Sequence, residues 1–228
     1  MSTGIRTFGI DVSHYNEKID WDTALAANAP EKIHFCYAKA SQLYYDSGGV
    51  LIKQHDAQYD RNWSELTRLK MLKGAYHYCM PEFTADDMAA LFFSVYKPAK
   101  GDLIPSLDIE DEYVAAINGG HKSASDLVKQ ILAFGSIIEK EVGRKPLIYI
   151  RSDITDALGN PPEFSDYPLW IANYNNPSTP GIPTPWEAYT FWQYSPSGRW
   201  PGFPFNSKND VDLDYLNGDP SKLAGLLI

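Results

Sequence analysis

Two strand-like runs enclose a helical pattern in the segment that decides the fold: Leu103-Ile104-Pro105-Ser106-Leu107-Asp108-Ile109 and Leu147-Ile148-Tyr149-Ile150. The helical pattern opens at Ser125-Asp126, and its apolar residues recur at three- and four-residue steps as far as Val142. Gly143 ends the pattern, as glycine commonly does just after a helix. A strand, a helix and a second strand in this order are typical of a parallel sheet with a helical crossover.

The same alternation extends over most of the chain. Six further strand-like runs lie at residues 8–12, 33–38, 74–78, 169–172, 189–194 and 211–213, which makes eight in all. Helical patterns at 21–27, within 54–72, from Thr84 to about Val95, and from Ser125 separate the first five runs. From Asn160 to Pro204 the chain is rich in Pro, Gly, Asn and Trp and has no long helical period. These patterns predict an α/β fold, a parallel barrel with an irregular last third. No linker, repeat or low-complexity tract interrupts the chain, so residues 1–228 are predicted to form a single domain.

Composition restricts the class of function. The 228 residues carry 20 Lys+Arg and 29 Asp+Glu, a formal net charge of −9, which argues against nucleic acid as the main partner. No apolar run approaches the roughly 18 residues that span a bilayer, and the N-terminus has no apolar stretch of signal-peptide type. The two cysteines are predicted to be buried free thiols, and the five histidines show no metal-binding spacing, so neither a metal nor another cofactor is expected. Aromatic residues make up 14% of the chain, which weakly favours a carbohydrate partner.

The strongest chemical signal is the pair Asp108 and Glu110. Residues i and i+2 of a strand share one face, so these carboxyl groups would project together from Cα atoms about 6.5–7 Å apart. Two carboxyl groups this close perturb each other, and one keeps its proton to higher pH. A proton donor beside an anion is what cleavage of a glycosidic bond requires. The alternative is an acidic strand end that is only solvated or caps a helix.

Other polar and aromatic residues are placed to reach the same end of a barrel. Asp11 ends the first strand-like run and Asp212 lies in the last, and the first and last strands of a closed barrel are neighbours. Tyr76, Trp170, Tyr174, Trp192 and Gln193 lie in or just after strand runs and could reach the same mouth. For each aromatic side chain, core packing is the alternative.

The order and spacing of these motifs resemble the glycoside hydrolase family 25 lysozymes, the Chalaropsis-type muramidases. The matching segments are Gly9-Ile10-Asp11-Val12-Ser13-His14, Ile19-Asp20-Trp21, Lys39-Ala40-Ser41, Gly74-Ala75-Tyr76-His77-Tyr78, Leu107-Asp108-Ile109-Glu110, Leu169-Trp170-Ile171-Ala172, Tyr174, Trp192-Gln193-Tyr194-Ser195 and Val211-Asp212-Leu213. The resemblance implies a single irregular TIM-like (β/α)5(β)3 barrel. It also implies hydrolysis of the β-1,4 bond between N-acetylmuramic acid and N-acetylglucosamine in peptidoglycan.

The resemblance also assigns roles to residues. It implies that Glu110 is the general acid/base and Asp108 the second catalytic carboxylate, while Asp11 and Asp212 orient or tune them. The implied substrate-binding residues are Tyr76, Trp170, Tyr174, Trp192, Gln193 and Gln42. Two positions depart from the family pattern: Gln42 stands where many members have Glu, and Asp214 stands where Asn is usual.

Several expectations follow, and some alternatives stay open. Asp108 acts either as the nucleophile or by stabilising the substrate's 2-acetamido group, and substrate assistance with retention is favoured. The expected partner is the glycan strand of peptidoglycan, with no nucleic acid, no membrane and a monomeric state. The expected location is extracellular, as a secreted enzyme or a phage lysin released to the wall. The competing functions are a catalytically silent glycan-binding barrel and a hydrolase of chitin-type chains.

Overall fold

The computed structural model describes residues 4–27, 31–175, 178–204 and 210–228. Its strands are β1 (Arg6–Val12), β2 (Phe35–Tyr45), β3 (Leu51–His55), β4 (Leu72–Tyr78), β5 (Ser106–Asp108), β6 (Leu147–Ile150), β7 (Leu169–Ala172), β8 (Phe191–Gly198) and β9 (Val211–Asn217). Its α-helices are α1 (Trp21–Ala26), α2 (Tyr59–Arg68), α3 (Ala85–Val95), α4 (Asp111–Asn118), α5 (Ala124–Val142) and α6 (Ser152–Ala157). Three short 3-10 segments lie at His14–Asn16, Pro162–Asp166 and Pro220–Leu226.

Eight strands close into a barrel. The hydrogen-bonded order is β1-β9-β8-β7-β6-β5-β4-β2, and β1 pairs with β2 to close the ring. Strands β1, β2 and β4 to β8 run parallel, whereas β9 is antiparallel to both of its neighbours, β8 and β1. Helices follow the first five barrel strands, and the described residues after β7 and β8 contain no α-helix. The predicted (β/α)5(β)3 barrel is therefore confirmed.

The structure adds elements that the sequence patterns did not predict. Strand β3 forms an antiparallel hairpin with the outer half of β2 and lies outside the barrel ring. The short helices α4 and α6 follow β5 and β6 directly. Strand β5 is shorter than the predicted run from Leu103 to Ile109, because Pro105 has no N–H to donate and Leu103 pairs instead with Leu227 near the C-terminus.

Alternation along the strands separates two apolar layers. Odd-numbered β2 side chains such as Phe35 and Tyr37 point into the barrel, while Cys36 and Ala38 point outward to the helices. The inner layer is an aromatic and aliphatic plug that fills the barrel below its open end; its main members are Phe35, Tyr37, Leu147, Trp170, Phe191 and Leu216. Both cysteines are buried and free, as predicted. The strand pleat thus fills the lower barrel and leaves the carboxyl ends of the strands to carry polar side chains.

Local capping signals place the two longest helices. Thr84 and Asp87 cap α3 reciprocally, each side chain accepting from the other's backbone N–H. Ser123 caps α5, two residues before the predicted opening at Ser125, and Gly143 ends it in the left-handed conformation with φ of 77°. None of the helices in the described ranges combines the length and the apolarity needed to cross a bilayer.

Candidate active site

A cavity of about 290 Å³ opens at the carboxyl ends of the barrel strands. Its charged lining residues are Asp11, Lys39, Asp108, Glu110, Arg151 and Asp212, and its aromatic lining residues are Tyr15, Tyr76, Tyr78, Tyr149, Trp170 and Tyr174. Four carboxyl groups thus face two cationic groups across one solvent-accessible space. This mixture of aromatic walls and convergent charges is typical of a ligand site.

Asp108 and Glu110 enter the cavity from the end of β5. The strand stops at Asp108, so the expectation that both residues belong to it is wrong for Glu110, which lies immediately before α4. The backbone of Glu110 is still extended, with φ of −125° and ψ of −163°, so the strand's alternation continues for two more residues. Leu107 and Ile109 are fully buried on the opposite face. The carboxyl groups therefore share the cavity face, as the spacing predicts.

Burial and like charge make both carboxyl groups hold protons more tightly. Burial raises the pKa of Asp108 well above its usual range, the neighbouring Glu110 adds to this effect, and Lys39 opposes it. Burial also raises the pKa of Glu110, with a contribution from Glu112, while Lys39 and Arg151 lower it. Interacting groups of this kind titrate as a pair. The pair can keep a proton where isolated carboxyl groups would both be ionised.

The two carboxyl groups differ in access. Only 6% of Asp108 is exposed, and its Oδ1 atom is buried without a hydrogen-bond partner among the described residues. Glu110 is half-buried at the cavity surface. A ligand in the cavity therefore meets Glu110 first, and Asp108 lies deeper in the cavity wall.

The barrel closure brings Asp11 and Asp212 together. They are direct partners in the antiparallel pairing of β1 with β9. Burial raises the pKa of Asp11 to about 6, although hydrogen bonds from Gln193 and Asp214 act in the opposite direction. Burial, Asp11 and Glu110 raise the pKa of Asp212. Asp11 and Asp212 thus share the electrostatic environment of Asp108 and Glu110 in the cavity.

Three of the predicted aromatic residues and one amide reach the cavity. Tyr76, Trp170, Tyr174 and Gln193 all line it. Tyr174 is 42% exposed, whereas Trp170 is 2% exposed and its Nε1 atom donates to Asp214 at 2.9 Å. Trp170 thus presents little surface to a ligand and mainly supports the acids beneath the cavity.

Two predicted substrate contacts lie outside the cavity. Trp192 is fully buried on the outward face of β8 and donates from Nε1 to the Asn173 carbonyl at 2.7 Å, so its assignment as a sugar contact is wrong for this structure. The reason is the strand pleat, which points Trp192 away from the cavity when Gln193 points into it. Gln42 does not line the cavity either. It accepts a 2.9 Å hydrogen bond from Lys39 Nζ, which links it to the site through that lysine.

The residues missed by sequence reasoning are cationic or tyrosyl. Lys39 is 5% exposed, and its Nζ atom lies 4.4 Å from the centre of the Tyr78 ring. Burial lowers the pKa of Lys39 while Asp108 acts in the opposite direction. Arg151 follows β6 and forms ion pairs with Asp111 and Asp153. The inward parity of Phe35, Tyr37 and Lys39 on β2 was a usable signal for Lys39, since an inward lysine at a strand's carboxyl end must face the barrel mouth.

The described residues contain no group of three or more His, Cys, Asp or Glu side chains arranged to hold a metal ion. The cavity presents four carboxyl groups, those of Asp11, Asp108, Glu110 and Asp212. A pair that keeps one proton beside an anion meets the chemical requirement for cleaving a glycosidic bond. Together with the closed α/β barrel, the pair defines the class of protein, a glycoside hydrolase.

Comparison with known families specifies the class further. The family model for "Glycosyl hydrolases family 25" matches residues 10–203, and the chain belongs to this family. A curated relative, the YegX protein of Escherichia coli strain K12, is 31% identical over 224 residues, which cover 96% of this chain and 72% of YegX. Lysozyme M1 of Streptomyces globisporus is 27% identical over 226 residues, covering 96% of this chain and 70% of that protein.

Solved structures agree on the architecture. The crystal structure of a bacterial lysozyme from Streptomyces coelicolor matches with a TM-score of 0.79 and 24% identity, over 96% of both chains. At this identity the likeness shows the fold. It supports the eight-stranded barrel with helices described above.

Proposed function

We propose that this chain is an N-acetylmuramidase, a lysozyme that hydrolyses the β-1,4 bond between N-acetylmuramic acid and N-acetylglucosamine in peptidoglycan. The observation that carries the proposal is the Asp108–Glu110 pair, which enters an aromatic-lined cavity with both pKa values raised. Family membership and the similarity to lysozyme M1 support the choice of substrate. Because peptidoglycan lies outside the cytoplasmic membrane, we propose that the enzyme acts there, at the wall.

In the proposed first step, Glu110 is the general acid. Its proton passes to the glycosidic oxygen, the bond from that oxygen to the anomeric carbon breaks, and the electron pair of the bond stays with the leaving sugar. Glu110 is suited to this role because it is the more exposed member of the pair and retains a proton through burial and the nearby Glu112. Once ionised, Glu110 takes a proton from the water that attacks the anomeric carbon in the second step.

The second carboxyl group, Asp108, works from deeper in the cavity. In the favoured route the substrate's acetamido carbonyl oxygen attacks the anomeric carbon, and ionised Asp108 accepts a hydrogen bond from the acetamido N–H. Asp108 lines the cavity, where its carboxylate can accept such a hydrogen bond, and Lys39 favours the ionised form. In the alternative route, Asp108 itself bonds to the anomeric carbon. Both routes invert the anomeric centre twice and therefore retain its configuration.

Substitution of the proposed acid tests the function. Glu110→Gln keeps the shape of the side chain but cannot donate a carboxyl proton, so we expect loss of peptidoglycan turnover by a factor on the order of 10²–10⁴. The measurement is the loss of turbidity of a cell-wall suspension. Mass spectrometry of the released muropeptides should show N-acetylmuramic acid at the new reducing ends. Glu141→Gln, the same change on the exposed face of α5, is the matched control and should clear walls at the wild-type rate.

The competing functions give different results in the same experiment. A silent glycan-binding barrel would sediment with the walls and release no fragments. A hydrolase of chitin-type chains would cleave soluble chitooligosaccharides faster than peptidoglycan. A fully active Glu110→Gln protein would refute the assignment of Glu110.

A further inference from the structure

A fifth carboxyl group lies directly beneath the cavity. Asp214 is fully buried on β9, two residues beyond Asp212, and does not line the cavity. Its backbone pairs with Gly9 of β1 on one side and with Gln193 of β8 on the other. Its side chain therefore lies inside the barrel, between the apolar plug and the cavity floor.

The hydrogen-bond partners of Asp214 are incomplete unless it carries a proton. Its Oδ1 atom accepts from Trp170 Nε1 at 2.9 Å, and its buried Oδ2 atom has no donor among the described residues. Asp11 lies two residues along β1 from Gly9, the backbone partner of Asp214, and the two inward carboxyl groups are near enough to share a hydrogen bond. Two carboxylates have only acceptor atoms, so such a contact requires a proton on one of them. Two unprotonated groups would instead place like charges together where water cannot screen them.

The surrounding hydrogen bonds indicate which group carries the proton. Tyr149 and Tyr174 both donate their hydroxyl protons to Gln193 Oε1, which fixes the amide so that Nε2 donates to Asp11 Oδ2 at 2.8 Å. Asp11 therefore already accepts one charge-assisted hydrogen bond, which favours its ionised form. Asp214 receives only the indole N–H and is the more deeply buried of the two.

We propose that Asp214 is a neutral carboxylic acid that donates its proton in a hydrogen bond to Asp11 and so positions Asp11 beneath the catalytic pair. The effect on turnover rests on the function proposed above, whereas the protonation state does not. Asp214 is a positioning residue, because it acts through Asp11 and does not reach the cavity.

The groups around Asp214 support this state. Burial raises the pKa of Asp214 well above its usual range, Asp11 and Asp212 raise it further, and the Trp170 N–H opposes them. Tyr37 on β2 points into the barrel with Asp214 and the adjacent Cys36 points outward, and burial raises the pKa values of both. The same holds for Tyr194 on β8. These three groups are thus neutral at the pH where the carboxyl groups titrate, and the acids of β1 and β9 dominate the electrostatics.

Infrared spectroscopy tests the protonation directly. Asp214→Asn keeps an acceptor for Trp170 and an N–H donor for Asp11 but has no carboxyl proton. At pH 7 the wild-type spectrum should show a protonated-carboxyl C=O band that is lost in Asp214→Asn, and the exposed control Asp86→Asn should retain it. Identical protonated-carboxyl bands in the wild type and Asp214→Asn would overturn the proposal.

Thermal unfolding provides a second readout. Unfolded Asp214 releases its proton near pH 4, whereas the folded state keeps it, so the wild type should lose stability relative to Asp214→Asn as the pH rises above about 4. The melting temperature of Asp214→Asn minus that of the wild type should therefore increase with pH, whereas the same difference for Asp86→Asn should show no such increase. If the melting temperature of Asp214→Asn minus that of the wild type stays constant or decreases as the pH rises, Asp214 does not carry a proton in the folded state.

Turnover measurements test the positioning. We expect Asp214→Asn to keep kcat within about threefold of the wild type, and Asp214→Leu, which cannot donate to Asp11, to lose kcat on the order of tenfold or more with KM little changed. Rescue by Asn but not by Leu distinguishes positioning from simple filling of space. Equal activity of Asp214→Leu and the wild type would overturn the positioning role. If the wild type cleaves no peptidoglycan, the proposed function fails, and the infrared and unfolding results still decide the protonation of Asp214.

Discussion

At the scale of single residues, the charge of Lys39 sets how strongly the carboxyl pair holds its proton. Lys39 lowers the pKa of both Asp108 and Glu110. Lys39→Met should therefore raise both pKa values, moving the acidic limb of the activity profile to higher pH and lowering turnover near that limb. The measurement is kcat/KM for wall hydrolysis as a function of pH. Lys53→Met, on the exposed face of β3, is the matched control, and an unmoved acidic limb in Lys39→Met would contradict this role.

The two tryptophans of the barrel's last strands should respond differently to the same substitution. Trp170→Phe removes the N–H that Asp214 accepts, so we expect lower kcat together with a stability loss of about 1–3 kcal/mol. Trp192→Phe removes the hydrogen bond to Asn173 and leaves a gap in the outer layer, so stability should fall by a similar 1–3 kcal/mol while kcat/KM stays unchanged. Denaturant unfolding and turbidity kinetics measure both effects. An increase in KM for Trp192→Phe at wild-type stability would restore Trp192 as a sugar contact.

The sequence was most informative about the acids and less so about their surroundings. Asp108 and Glu110 were found because one spacing rule applies to any extended backbone, even where the strand itself has ended. The same rule excludes Trp192 and Gln193 from facing the cavity together, since they are adjacent on one strand. Arg151 gave no signal because it follows a four-residue strand and is held by Asp111 and Asp153, contacts that depend on tertiary structure.

At the scale of elements, the close approach of β1 and β2 requires a glycine. A Cβ atom at Gly9 would lie 2.3–2.5 Å from atoms of the Phe35 ring. That ring is fully buried and packs against Phe191 with centroids 4.7 Å apart, so it has little freedom to move. Gly9→Ala should therefore destabilise the protein by about 1–3 kcal/mol.

Chemical denaturation of Gly9→Ala measures this cost. The matched control is Gly4→Ala, because a Cβ atom there meets no atom within 4 Å. Gly4→Ala should leave the unfolding midpoint unchanged. Equal midpoints for the two variants would show that β1 can move away from Phe35.

Helices and strands could be predicted from the sequence where apolar residues recur regularly over a long segment. Helix α5 has both a cap and a 19-residue pattern, and the structure differs from the prediction only at its start. Helices α4 and α6 have eight and six residues, too few for a periodic pattern to stand out. Strand β3 contains Lys53 and Gln54 and alternates between exposed and half-buried positions, so it lacks the apolar face that identifies a barrel strand.

At the scale of the whole molecule, the acids are gathered where folding disfavours their charge. Burial raises the pKa of Asp11, Asp108, Glu110, Asp212 and Asp214, which all lie in or beneath the cavity. Gathering five carboxyl groups in and beneath one cavity lowers stability in return for a site that holds protons, a cost commonly found at active sites. Exposed acids such as Asp20 and Asp126 behave in the opposite way, since hydrogen bonds lower their pKa values.

This distribution predicts an unusual dependence of stability on pH. A carboxyl group with a raised pKa binds more protons in the folded state than in the unfolded state, so its stabilising effect is present below the unfolded pKa, near 4, and is lost as the pH rises through the folded pKa. For Asp11 that loss is centred at about pH 6. Groups with lowered pKa, such as Asp20 and Asp126, lose their stabilising effect only as the pH falls below about 4.

The melting temperature should therefore be highest at mildly acidic pH, near 5, and should decline toward pH 8 because the buried acids release their protons more readily in the unfolded chain. Calorimetric scans at about pH 4, 5, 6, 7 and 8 measure the profile. The double variant Asp11→Asn/Asp214→Asn removes two of the five groups and should flatten the decline above pH 5. The exposed pair Asp20→Asn/Asp126→Asn should leave that decline unchanged, because these groups have lowered pKa values. A wild-type melting temperature that climbs steadily from pH 5 to 8 would mean that the cavity acids are ionised in the folded protein, and the proton that Glu110 needs would then have to come from elsewhere.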